Sequence, residues 1–229
     1  MPFMFDSTFL FLIPAIALAI YAQFKVQSTF RRYSEVPSGT GYTGAQVAAE
    51  LLRRKGITDV RVEPVQGMLG DHYDPRTKVL RLSPDVYGSN SLAAIGVAAH
   101  EAGHALQHRE GYAALALRSA IVPVATIGTN AAWILFIIGM ITTSPRLVDI
   151  GILLFLGYIA FAVITLPVEF NASNRAVVLL QGEGFVLPQE AQGVRAVLNA
   201  AALTYVAAAA MALSQLLRML VLRGRMSDD

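Results

Sequence analysis

Apolar residues in this chain come in long, nearly unbroken runs instead of the alternating or one-faced patterns of soluble elements. Three runs reach the roughly 20 residues that a helix needs to cross a hydrocarbon layer about 30 Å thick. They are Ser119 to Ile141, Leu147 to Val168 with Asp149 near one end, and 200–222, where Arg218 is close enough to the end to snorkel. A fourth run, Phe9 to Ala22, is shorter. Secretory signals carry positive charge ahead of the apolar run, whereas here Asp6 precedes it and Lys25, Arg31 and Arg32 follow, so it reads as an uncleaved signal anchor. The pattern predicts a mainly α-helical integral membrane protein with about four transmembrane helices.

Five segments follow: the anchor (1–24), an extramembrane α+β domain (25–118), a transmembrane hairpin (119–168), a second extramembrane piece (169–199), and the last span with its tail (200–229). Within 25–118, Thr43 and Gln46 have capping-box spacing, Val47, Ala48, Leu51 and Leu52 form an apolar stripe, and Gly56 stops the helix. Asp59 to Val65 and Lys78 to Ser83 read as strands separated by a turn-rich piece, and an antiparallel ribbon is the simplest pairing. A helix capped by Asn90 or Ser91 then runs from about Ser91 to His108.

Composition agrees with the pattern and narrows the chemistry. Of 229 residues, 55% are hydrophobic and 15% charged, against about one quarter charged in soluble domains. The net charge is +2 and the basic residues are dispersed, which leaves no nucleic-acid footprint. With no cysteine, disulfides and thiolate metal sites are excluded, and a transition metal must be held by His and carboxylate. If four spans are counted, 14 of the 18 Lys and Arg, including Lys25, Arg31 and Arg32, share the side of residues 25–118, which predicts a cytoplasmic location for it; Arg223 and Arg225 pull the other way.

The helix ending near His108 contains His100-Glu101-Ala102-Gly103-His104, an H-E-x-x-H pattern. Residues four apart on a helix share a face, so two imidazoles project together and can bind one metal ion. Glu101 stands about a third of a turn away, where its carboxylate can act as a base without occupying a coordination position. At this composition a chance match is on the order of one in 400. A catalytic zinc takes a third protein ligand and keeps a position for water. Glu169, the first acid after the predicted hairpin returns, is the candidate, with Pro167 expected to reset the chain before a new helix. An ordinary acid at a helix N-terminus is its bland reading, with Glu110, Glu183 and Glu190 as the remaining acids to search. In such a site Glu101 takes a proton from the attacking water and returns it to the leaving amine.

Three further residues have local readings beside functional ones. His72 could contact substrate, or it could stabilise its own Asp-rich turn. Tyr205 could donate to a developing oxyanion, or it could anchor the last span at the interface. His108 reads as a polar helix-end residue favoured by the dipole. Lys78 to Ser83 is a candidate edge strand for an extended substrate, or else an internal strand.

Asp71-His72-Tyr73-Asp74-Pro75, Ala98-Ala99-His100-Glu101-Ala102-Gly103-His104-Ala105 and Leu166-Pro167-Val168-Glu169-Phe170 resemble the bacterial YugP-type neutral zinc metallopeptidases of the membrane, from about Tyr33 to Met219. The resemblance implies a zincin-like domain, Zn2+, a peptide or membrane-protein substrate, and a multi-pass location in the bacterial inner membrane. More distantly the chain is similar to the HtpX and CAAX prenyl protease group, whose E-x-x-x-D motif implies a ligand role for Glu169. The Asp of that motif falls on Ser173 here, leaving Asn171, Asn174 or a backbone carbonyl to support a zinc-bound histidine. Neither the L-D-G motif of site-2 proteases nor a third histidine ten residues after His100 is present. The rival functions are a non-catalytic zinc-binding scaffold or assembly factor, and a metal transporter or sensor with Thr126, Thr129 and Asn130 as polar span residues.

Overall fold

In the computed structural model the described residues are 7–67 and 70–226; Asp6, used above to read the first run, lies outside them. A 3-10 turn (Ser7–Leu12) precedes α1 (Ile13–Ser34) and α2 (Gly44–Arg54). Then come β1 (Arg61–Pro64), β2 (His72–Asp74), β3 (Val79–Leu82), the short α3 (Pro84–Tyr87) and α4 (Leu92–Arg109). Three long helices close the chain: α5 (Ala113–Ile141), α6 (Pro145–Gly182) and α7 (Ala191–Arg225). The chain divides into an apolar unit (Met1–Gln23, Ala116–Pro167, Thr204–Asp229) and a mixed unit (Phe24–Leu115, Val168–Leu203).

In the apolar unit the long runs are helical as expected. Ser7–Ser34, Pro145–Gly182 and Ala191–Arg225 are each long and apolar enough to cross a membrane. Ala113–Pro123 and Ala125–Ile141 meet at a 46° bend and add a fourth span only when the pair is counted as one. Pro123 accounts for the bend, because it has no N–H to donate and its ring crowds the preceding turn. Ile127 is 72% and Leu153 67% exposed, the outward apolar surface that lipid would cover. Inside, Ala132, Phe136, Val148, Ile152, Phe155, Met219 and Leu222 form a small core. The hydroxyls of Thr126 and Thr129 donate to the Val122 and Ala125 carbonyls of their own helix, so they are spent locally.

Pro167 does not reset the chain. α6 runs through it without interruption, from Pro145 to Gly182. One backbone hydrogen bond is lost there, while ending the helix would leave several groups unsatisfied in apolar surroundings.

The mixed unit forms around α4, a helix apolar on nearly all sides and therefore buried. Its core joins Val47, Leu51 and Leu52 of α2, Leu80 and Leu82 of β3, Ile95, Ala98 and Ala102 of α4, and Ala176, Val177 and Leu180 of α6. α2 carries the capping box, with Thr43 Oγ1 accepting from Gln46 N and Gln46 Oε1 accepting from Thr43 N, and it ends at Gly56 with φ +69°.

The sheet differs from the expected ribbon. β1 pairs with β3 in parallel, and the strand order is β1-β3-β2. β2, read from sequence as turn, pairs antiparallel with β3, His72 opposite Arg81. Asp74 builds the β2–β3 turn by accepting from Arg76 N and Thr77 Oγ1, and Asp71 accepts from the Ser83 backbone and hydroxyl. β3 is therefore the central strand and offers no free edge; β1 and β2 are the edges.

Candidate metal centre

α4 supplies the first part of the site. Ser91 caps it, with Oγ accepting from Ala94 N at 3.2 Å, and His100 and His104 then project from one face. The second part comes from Val168–Gly182, where Glu169 and Ser173, four apart, share the buried stripe of Ala172, Ala176 and Leu180. Gly103 permits the approach of the two helices. A Cβ there would lie 3.0 Å from the Ala172 carbonyl oxygen and 3.4 Å from its Cα, both backbone atoms that cannot rotate away.

Across this contact, Glu169 Oε2 lies 3.2 Å from His100 Nε2 and 3.6 Å from His104 Nε2. The two imidazole rings stand edge to face, centroids 4.7 Å apart. A tetrahedral zinc with bonds of about 2.0–2.1 Å separates its ligand atoms by roughly 3.3 Å. One atom from each of the three residues falls within 4.8 Å of the others, so the set needs only a small adjustment to hold a metal ion. Two neutral imidazoles and one carboxylate also match a borderline cation. Glu169 is 2% exposed, and a carboxylate so buried is stable only against cations or donors.

The electrostatics favour a cation as well. Burial of His104 disfavours its charged form, yet the neighbouring Glu169 and Glu101 carboxylates and the Gln107 contact together raise its pKa above the ordinary value. Glu101 is buried one residue beyond His100, close enough for its charge to be felt at His104.

The other sequence candidates separate. His72 opens β2, where its Nδ1–H donates to the Gly70 carbonyl at 2.7 Å and Nε2 faces Arg81 at 3.4 Å. Tyr205 is half-buried on α7 and belongs to the apolar unit. His108 Nδ1 pairs with Tyr73 Oη at 2.8 Å, tying the end of α4 to β2; burial, then the charges of Asp59 and Asp74, push the Tyr73 phenol up to about 12. Glu110 pairs with Arg175, Glu183 with Lys55 and Arg54, and Glu190 accepts from the Gly39 and Leu187 backbones.

Two polar partners of the histidines escaped the sequence reading. Gln107, fully buried, places Oε1 2.9 Å from His104 Nδ1, and Ser173 Oγ lies 3.1 Å from His100 Nδ1. Ser173 stands where the distant motif has its Asp, and Asn171 reaches the site only through Gln107. An amide three residues after a candidate ligand histidine, on the same helical face, was the available signal.

The chain is mainly helical, has apolar helices able to span a membrane, and brings two histidines and one carboxylate together where they could hold a metal ion. The comparisons define it further. The family model described as "Putative neutral zinc metallopeptidase" matches residues 8–224, and the chain belongs to this family. It is 52% identical over 220 residues to the "Putative membrane protease YugP" of Bacillus subtilis (strain 168), covering 95% of this chain and 98% of that protein. No solved structure matches the chain.

Proposed function

We propose that this chain is a membrane-embedded zinc-dependent peptidase in which His100, His104 and Glu169 hold the zinc and Glu101 is the general base. The observation that carries the reading is the convergence of the two Nε2 atoms on Glu169 Oε2, at distances suited to one tetrahedral ion. Zinc bound there supplies Lewis acidity, lowering the pKa of a water and polarising a carbonyl. The Glu101 carboxylate accepts the proton of the attacking water, and the carboxylic acid so formed gives it to the nitrogen of the breaking peptide bond. The family description and the name of the Bacillus relative support this chemistry, and that relative's name supports the membrane setting.

A scaffold with a purely structural zinc is disfavoured, because such sites are closed by four protein ligands and have no use for a carboxylate at Glu101. With the bent α5 counted as one span there are four, and Lys25, Arg31 and Arg32 support a cytoplasmic mixed unit in a bacterial inner membrane. Substrates are then peptides or membrane-protein segments. The test is metal analysis with peptide hydrolysis on detergent-purified protein. Glu101→Gln should keep its zinc and lose about 10²- to 10⁴-fold in turnover; full activity in that variant would remove Glu101 from the mechanism.

A further inference from the structure

The polar contacts behind His104 form a chain in which each atom's role is forced by the next. Arg175 carries only donors, so the Asn171 atom 2.7 Å from its Nε is the oxygen Oδ1. That oxygen is also 2.9 Å from the Gln107 side chain, so the Gln107 atom facing it is the amide nitrogen. The Val168 carbonyl, 2.9 Å from the same nitrogen, is an acceptor and demands the same orientation independently. With both amide hydrogens given to fixed acceptors, the atom left facing His104 Nδ1 at 2.9 Å is Oε1, which can only accept. Nδ1 of His104 must then hold a proton. A neutral imidazole has only one, so Nε2 bears the lone pair, and Nε2 is the atom that faces Glu169.

We infer that Gln107 is the positioning residue of His104: an amide, locked by Val168 and Asn171, that fixes the imidazole tautomer and aims its Nε2 lone pair into the metal cradle. This rests on the zinc reading of the site. The lock extends outward, since Arg175 pairs with Glu110 at 2.6 Å. Gln107 is fully buried, so water cannot replace these partners cheaply. His100 is held differently. Its partner, the Ser173 hydroxyl, can both donate and accept and so imposes no tautomer by itself. The two histidines of one motif are thus oriented by unlike devices, and the one on the amide is the more strictly set.

The test uses the full chain, purified in detergent, loaded with zinc and labelled with 15N-histidine. His104 should show a proton on Nδ1 and none on Nε2. Chelator competition should find Gln107→Met weakened for zinc by about 10- to 100-fold. Asn171→Leu should be weakened less than Gln107→Met, and Asn171→Asp, which keeps an acceptor for both Gln107 and Arg175, should hold zinc more tightly than Asn171→Leu; the reverse order would count against the lock. A His104 protonated on Nε2, or wild-type zinc affinity in a folded Gln107→Met, would overturn the inference. If Gln107→Met does not fold, the wild-type spectrum and the two Asn171 variants decide. Failure of the wild type to bind zinc would instead overturn the metal reading, and the tautomer, read where His104 is neutral, would still decide this one.

Discussion

Val168–Gly182, the later part of α6, buries Glu169, Ala172, Ser173, Ala176 and Leu180, whereas the earlier part, Pro145–Pro167, leaves Leu153, Leu156 and Val163 exposed. The same helix therefore meets two sets of demands. On that exposed face almost any large apolar side chain satisfies the surroundings, and composition alone predicts a helix. In the later part, polar groups are taken out of water, and each needs a partner at a defined distance, as Glu169 has in two imidazoles and Ser173 in His100. Specific chemistry is possible where burial makes polar identity costly to change.

The comparison breaks most visibly at the histidines. His100→Ala or His104→Ala should abolish tight zinc binding and hydrolysis together, because each leaves only two ligands. Metal content and peptide turnover of the purified variants check this. Next in size is a contrast between two leucines of α6. Leu180→Ala, in the core, should cost about 2–5 kcal/mol in detergent unfolding, while Leu153→Ala should stay within about 0.5 kcal/mol. Equal costs would erase the distinction between the two parts of the helix. Gly103→Ala should destabilise by about 1–3 kcal/mol through overpacking against Ala172, and it should also weaken zinc by separating Glu169 from the histidines. Thermal unfolding without zinc and chelator competition with it separate the two effects.

The smallest expected effect is electrostatic. Arg53 and Arg54 lower the pKa of the Glu50 carboxyl from 4.5 to about 2. Because the folded-state pKa is depressed, its contribution is present above about pH 4.5 and is lost as pH falls toward 2. Glu50→Gln should therefore flatten the melting temperature against pH across that window and change little at neutral pH, since ion pairs at the protein surface contribute little.

Local patterns made much of this readable. The long apolar runs, the Thr43–Gln46 capping box, the stop at Gly56 and the spacing of His100 and His104 are set by neighbours a few residues away. What escaped depends on distant partners. β2 has three residues and exists because β3 pairs with it, so no periodicity marks it. The parallel pairing of β1 with β3 is a tertiary choice that strand-forming composition does not encode. Pro167 carries a strong local breaker signal that an apolar environment overrides. Gln107 and Ser173 are common polar residues whose roles appear only once α6 is laid against α4.

The central claim is that Glu169 completes the site, and zinc per protein in Glu169 variants tests it most directly. Glu169→Ala and Glu169→Gln should hold zinc far more weakly than the wild type, while the control Glu183→Gln, which loses only ion pairs to Lys55 and Arg54, should keep a full complement. Stoichiometric, tightly held zinc in both Glu169 variants would contradict the account and take Glu169 out of the metal site.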